Sequence, residues 1–475
     1  MRTRDALYIN GQWRRPVARV PVSVLNPFDG SILGQFVPGG LDELNEAVDA
    51  ASEALHAWQK LPVSARTDGL RRMAAYLEAR LDEIADLLVD EVGMPIRWAR
   101  PIQAEFPIEN LRRHADLAES FSYVERTGVS EVRRVPVGVV AAITPWNYPL
   151  HQIVLKVAPA LAAGCTVVLK PSEVTPLSAY LMADAAHAAG LPPGVFNLVV
   201  GVGMDVGSAL VEHPLVNKVS FTGSTATGSA IAKVAAAKFK RLTLELGGKS
   251  PSIILPGADL KRAVRTTVAR CMINSGQTCT ALTRMLVPRK CHDQLAAYAA
   301  EMALAMPLGN PRLSTTRLGP LTTRQQRDKV LAYVVTGDRE GARRFGDPRD
   351  LPNGLPDAGN FVAPVVFSEV TAKMSIAQEE IFGPVLCVLP YEDEHEALQI
   401  AESTQYGLAA AVWGASDAAA REFALHLRAG QVDINGGVFN ASAPFGGFKS
   451  SGLGREAGIY GLAGFLEYQA LQFQA

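Results

Sequence analysis

Between residues 41 and 118, apolar positions recur every three or four residues, as in Asp42-Glu43-Leu44-Asn45-Glu46-Ala47-Val48 and again over 65–92. That period predicts helices with one buried face, and the early acids suit a helix N-terminus. Residues 1–40 instead alternate short strands with turns. Tyr8-Ile9-Asn10-Gly11-Gln12-Trp13 predicts a hairpin, because Asn-Gly accepts the backbone of a tight turn. Residues 121–137 are extended in pattern, with Val129, Val132, Val135 and Val137 set among polar neighbours. From 137 to 246 apolar runs at 138–144, 165–170, 196–200 and 216–222 alternate with helical stretches such as 176–189 and 205–212. Strand–helix alternation predicts a parallel sheet with right-handed crossovers. The rhythm repeats over 249–430, with strands expected at 252–255, 285–287 and 385–389. The Gly/Pro-rich stretch 348–364 reads as a surface excursion. The end, 462–473, is an apolar strand whose edge needs covering.

At 475 residues the chain exceeds one ordinary core, so two or three domains are expected. Its 46 basic and 47 acidic residues nearly cancel, which gives no footprint for nucleic acid or a membrane surface. The longest near-apolar stretch, 154–169, is interrupted by Lys156, Pro159 and Gly164 and is not a membrane span. The N-terminus lacks the apolar core of a signal peptide. The five cysteines, Cys165, Cys271, Cys279, Cys291 and Cys387, form no CxxC pair. Neither a disulfide framework nor a metal site is expected, and reduced thiols in the cytoplasm fit best.

Seven segments carry possible chemistry, each with a plain alternative. Cys279, in Asn274-Ser275-Gly276-Gln277-Thr278-Cys279, lies in a loop read as preceding a helix, where backbone N–H groups favour a thiolate. Read alone, a buried structural thiol is commoner. Glu245, between Leu244 and Leu246 ahead of Gly247-Gly248-Lys249, is awkward to bury. Desolvation would raise its pKa and make it a general base, or it is a surface carboxylate before a turn. Thr144-Pro145-Trp146-Asn147-Tyr148-Pro149 follows a buried strand, and the Asn147 amide is either an oxyanion donor or a helix cap. Lys170-Pro171-Ser172-Glu173 suits ribose hydroxyls or a solvated loop. Phe221-Thr222-Gly223-Ser224 precedes a helix start that can hold phosphate, and Gly201-Val202-Gly203 with Gly207 competes for that role. Glu379-Glu380-Ile381-Phe382-Gly383-Pro384 and Pro444-Phe445-Gly446-Gly447 read alone as turns.

In this order, over nearly the whole chain, these segments resemble the aldehyde dehydrogenase superfamily, in its hydrolytic, non-CoA-acylating form. The resemblance implies an α/β fold: a Rossmann-like cofactor domain (1–119 and 137–248), an α/β catalytic domain (249–447), and a small β oligomerisation arm with the C-terminal tail (120–136 and 448–475). It implies Cys279 as nucleophile, Asn147 with the Cys279 N–H as oxyanion donors, and Glu245 as the base that activates water. Thioester hydrolysis would then release a carboxylic acid. It puts Thr144, Pro145, Trp146, Lys170, Ser172, Glu173, Phe221, Gly223, Ser224, Leu246, Gly247, Glu380 and Phe382 against the cofactor, and so favours Gly223 over Gly201 for the phosphates. Glu467 matches a tail residue that supports catalysis in some relatives. Glu173 near an adenosine 2′ position accepts a hydroxyl and repels a phosphate, so NAD is expected over NADP.

By the same resemblance Tyr148, Gln152, Leu155, Thr278 and Val438 or Phe439 line the aldehyde tunnel. Leu155 stands where succinate-semialdehyde enzymes carry an arginine, so an uncharged aliphatic or aromatic aldehyde is expected. The expected assembly is a homo-oligomer, a dimer or a dimer of dimers. Two rivals remain. A CoA-acylating enzyme generally lacks the glutamate found here at 245. A silent homologue, if a binding protein, should have lost Cys279, Glu245 or Asn147, and, if a redox sensor using Cys279, lacks a nearby resolving cysteine, since Cys271 is eight residues upstream.

Overall fold

The computed structural model describes residues 2–17 and 19–474; the expectations that touch Met1 and Ala475, and residue Ala18, lie outside the described residues. An eight-stranded sheet runs in the order Gly452–Leu453, Arg241–Glu245, Lys218–Thr222, Val139–Ile143, Thr166–Lys170, Phe196–Leu198, Leu7–Ile9, Gln12–Arg14. The five strands from Arg241–Glu245 to Phe196–Leu198 are parallel, and the others pair antiparallel. A seven-stranded sheet runs Arg343–Phe345, Val365–Ser368, Val385–Tyr391, Arg284–Pro288, Pro251–Ile254, Ala409–Trp413, Gln431–Ile434. It is parallel except at Arg343–Phe345. A third sheet joins Val124–Thr127, Ser130–Pro136 and Leu466–Gln472, all antiparallel.

Sequence accounts for these elements locally. The hairpin turns on Asn10 and Gly11, both at positive φ (50° and 76°), the backbone of a tight hairpin loop. Helix Pro149–Ala163 starts on a proline, whose ring pre-sets φ, and stops at Gly164 with φ 96°. Its residues are nearly all buried, which is why the stretch read as an almost continuous apolar run. Strands such as Val139–Ile143 and Val385–Tyr391 are likewise apolar for most of their length, as strands buried on both faces are.

The tail differs from expectation. Residues 462–463 close a short helix, Gly458–Ala463, and the strand is Leu466–Gln472. Apolar spacing over so few residues does not separate the two conformations. The helical region 41–118 contains a seven-residue π-helix, Ala99–Glu105, that periodicity did not reveal. Such turns gather at functional sites, and this one forms part of the wall described next.

Candidate active site

In the eight-stranded sheet the chain enters at Val139–Ile143, adds two strands on one side, then crosses to Lys218–Thr222 on the other. Neighbouring crossovers therefore leave in opposite directions beyond Ile143 and Thr222, and α/β sheets bind ligands at such a point. Thr144, Pro145, Trp146 and Asn147 follow the first strand; Gly223 and Ser224 follow the second. Ser224 caps helix Thr225–Ala236, its Oγ accepting from the Thr227 N–H at 3.2 Å, and no acidic residue occupies the first turn. The helix start is thus an exposed positive dipole end.

Lys170 ends the adjacent strand, 94% buried, its Nζ 3.6 Å from the Glu173 carboxylate. Ser172 Oγ accepts from the Val174 N–H and shapes that loop. Phe221 is buried beside Gly223. Beyond the next strand, Leu246 packs on the helix at Gly228, and a Cβ on Gly247 would collide with Glu380. Glu380 accepts from the Gly248 N–H at 3.1 Å. Phe382, at φ 62°, meets the Trp146 ring edge-on at 5.5 Å. These residues thus lie at or just beyond the carboxyl ends of neighbouring strands and on the loops in contact with them. The competing Gly201–Gly207 segment lies beside them, since a Cβ on Gly207 would sit 3.7 Å from the Lys170 side chain.

Cys279 lies against the Gly248 turn. Its loop does not precede a helix: a 3-10 turn, Ile273–Gly276, comes before it and strand Arg284–Pro288 follows. Asn274, Ser275 and Gly276 all have positive φ. A Cβ on Gly276 would lie 2.0 Å from the Gly383 carbonyl oxygen, so only glycine lets these two loops touch. The loop is pinned from several elements. Asn147 Nδ2 donates to the Gln277 carbonyl at 2.9 Å, and Gln277 Oε1 accepts from the Thr322 N–H at 2.9 Å. Gln103, from the π-helix, and Asn274 both donate to the Asn147 carbonyl. One N–H of the Asn147 amide is thereby used, and a second is free of this contact.

The resting thiol is not favoured as a thiolate, contrary to the expectation from the loop alone. Burial pushes the Cys279 pKa up to about 12, and the Glu380 and Glu245 carboxylates add to the rise; the backbone N–H groups of Thr280 and Cys279 oppose it without prevailing. Glu245 ends its strand 97% buried, and neither carboxylate oxygen has a hydrogen-bond partner in the protein. Desolvation, then the Glu456 carboxylate, hold its pKa well above the usual range. Glu456 itself is paired with Lys156 at 2.6 Å, both fully buried, and Lys156 also donates to Thr222 Oγ1.

On the far side of Cys279 opens a cavity of about 460 Å³, lined by Tyr148, His151, Gln152, Leu155, Thr278 and Phe439, and also by Ile102, Phe106, Arg270 and Phe445. The Tyr148 hydroxyl and Thr278 Oγ1 are 2.7 Å apart. Val438 does not take part: its side chain is 86% exposed, and the neighbouring Phe439 supplies the wall. The wall residues that the sequence did not reveal come from elsewhere in the chain. Lys156, buried and outside the wall, left a signal as the charge interrupting a near-apolar stretch. Glu467, at the tail, forms a bidentate pair with Arg241, the first residue of the strand that ends in Glu245.

The sequence profile of the aldehyde dehydrogenase family matches residues 13–471. A 3-succinoylsemialdehyde-pyridine dehydrogenase of a Pseudomonas species is 44% identical, with 99% of each chain covered. The structure of a cysteine-to-alanine variant of aldehyde dehydrogenase C from Pseudomonas syringae, complexed with NAD+ and octanal, superposes with a TM-score of 0.96. It shares 43% identity and covers 98% of this chain and 96% of that one. The aldehyde dehydrogenase of Mycobacterium tuberculosis with NAD+ gives 0.96 at 38% identity, covering 100% and 99%. The chain belongs to the aldehyde dehydrogenase family, a family of oxidoreductases.

Proposed function

We propose that this protein oxidises an uncharged aldehyde to the carboxylic acid with NAD+. The reading rests on one observation: a nucleophile, a carboxylate without a partner and an amide donor lie together at the end of an apolar cavity.

The residues present fit the dinucleotide. The Thr144 hydroxyl is buried with no protein partner, the start of helix Thr225–Ala236 is free to take a pyrophosphate, and Lys170 and Glu380 suit ribose hydroxyls. Glu173, 37% exposed beside Lys170, disfavours a 2′-phosphate and favours NAD over NADP. NAD+, when bound, supplies the hydride acceptor.

The proton of Cys279 is held by burial and by two nearby carboxylates. Moving that proton to Glu245 relieves the buried charge of the base and the repulsion of the thiolate together. The thiolate adds to the aldehyde carbon, and the free N–H of Asn147 with the Cys279 N–H hold the oxyanion. Loss of hydride leaves a thioester on Cys279. Glu245 gives up the first proton to solvent and then takes one from water as the water oxygen attacks the thioester carbon; the C–S bond breaks, Cys279 takes that proton back as the thiol, and the acid is freed.

The cavity wall supports an uncharged substrate. Leu155 offers no cation, and Arg270 is spent on Asp433 and the Gly437 carbonyl. We further propose a dimer or a dimer of dimers, assembled through the open edges of the third sheet, where Val124, Val129, Tyr468 and Phe473 are exposed. The test is a panel of aldehydes with NAD+, with and without CoA, beside Cys279→Ala. NADH formation lost in that variant, and a free acid as product, are expected. Activity surviving the substitution, or turnover only with CoA, refutes the reading.

A further inference from the structure

His151 stands on helix Pro149–Ala163, one turn before Leu155 and on the same face, and it lines the cavity. Leu155 packs with Phe445, Leu408 and Cys279, so His151 sits about one helical turn, ~5–6 Å, further out along the wall. Its ring lies against Phe106 at 5.3 Å. Phe106 meets Phe439 at 5.9 Å, and Phe439 meets Phe445 at 6.1 Å. The imidazole is therefore one member of a continuous aromatic wall, and the only one with hydrogen-bonding atoms.

Those atoms are unused. Nδ1 is buried without a partner, and Nε2, which is not sealed and makes no hydrogen bond to any described residue, is the nitrogen left to a molecule in the cavity. No carboxylate holds it as a cation. Burial, with Lys156 and His114 nearby, lowers its pKa to about 4, and the cavity's only acid, Asp433, is already paired with Arg270. A purely hydrocarbon substrate is served better by leucine at this place, since an imidazole loses hydration in such a wall without gaining a partner.

We infer that His151 is a specificity-determining residue that selects aldehydes carrying an uncharged hydrogen-bonding group — a carbonyl, hydroxyl or ring nitrogen — roughly a helical turn from the aldehyde carbon. This rests on the aldehyde-oxidising reading above and narrows its substrate class. The aromatic wall takes the apolar body, and the neutral imidazole supplies either a donor or an acceptor by choice of tautomer.

The test uses matched pairs: 3-phenylpropanal against 3-(pyridin-3-yl)propanal, and octanal against an oxo-octanal, assayed with NAD+ in the wild type, His151→Leu and His151→Gln. The wild type should prefer the polar member of at least one pair in kcat/KM by about tenfold, the scale of one uncharged hydrogen bond. His151→Leu should abolish or invert that preference, read as the ratio of kcat/KM between the two members of each pair. His151→Gln should retain part of it. No preference in the wild type, or a preference unchanged in His151→Leu, overturns the inference. Oxidation of no member of either pair sinks the aldehyde-oxidising reading instead.

Discussion

On one side of Cys279 the protein offers mostly backbone: the start of helix Thr225–Ala236, the turns at Gly223 and Gly247, and the ends of parallel strands. On the other side it offers side chains, namely Phe106 from one helix, His151 and Leu155 from another, and Phe439 and Phe445 from a late loop. The cofactor cleft binds a constant ligand with constant geometry, so its residues fall into short contiguous motifs. The cavity wall is assembled from side chains of several distant elements, most of them apolar. The difference predicts that damage to the shared chemistry is severe and general, whereas damage to the cavity is mild and substrate-dependent.

The largest effect falls at the junction. Cys279→Ala should lower kcat by at least ~10⁴-fold for every aldehyde, as loss of a nucleophile does elsewhere, measured as NADH formation. Glu245→Gln should lower steady-state kcat by about 10²–10⁴-fold. A pre-steady-state burst of NADH that survives would assign Glu245 to hydrolysis; loss of the burst would assign it to thiol activation as well. In the wild type the carboxyl must be ionised to act as base, and its folded pKa is raised. Activity should therefore be lost as pH falls through that raised value and grow above it, where the thiol also ionises more readily. Asn147→Ala should cost about 10²–10³-fold in kcat, the usual effect of removing one oxyanion donor. An unchanged kcat would leave Asn147 as only a brace for the Gln277 loop.

Smaller effects separate the two sides. Glu173→Gln should raise kcat/KM for NADP relative to NAD by about tenfold, by removing one like charge, without changing the order of preferred aldehydes. Phe439→Ala should raise KM for long aldehydes by about tenfold with little change for short ones, the loss of one buried aromatic contact. Val438→Ala should leave KM for all of them unchanged. If Val438 mattered as much as Phe439, the wall described here would be wrong.

Much of this was legible before folding. The strand–helix alternation gave the parallel sheets because burial on both faces writes a continuous apolar run. The motifs at 144–149, 170–173, 221–224, 245–249, 274–279 and 380–384 mark loops at strand ends and beside Cys279, because backbone geometry there demands glycine and proline at fixed offsets. Other features were hidden. The π-helix has no distinct period, and Val438 and Phe439 are neighbours that sequence alone does not separate.

Sequence by itself therefore determined which residues could do the chemistry, down to a reactive thiol and a carboxylate awkward to bury. Only the tertiary structure decided their protonation and their company. The thiol expected to favour its charged form is pushed toward about 12 because folding removes water and sets the Glu380 and Glu245 carboxylates beside it. His151, unremarkable in the chain, becomes an imidazole without a protein partner whose pKa is lowered by burial and by Lys156 and His114 nearby. Desolvation and long-range packing create both effects, and neither belongs to any local stretch of residues.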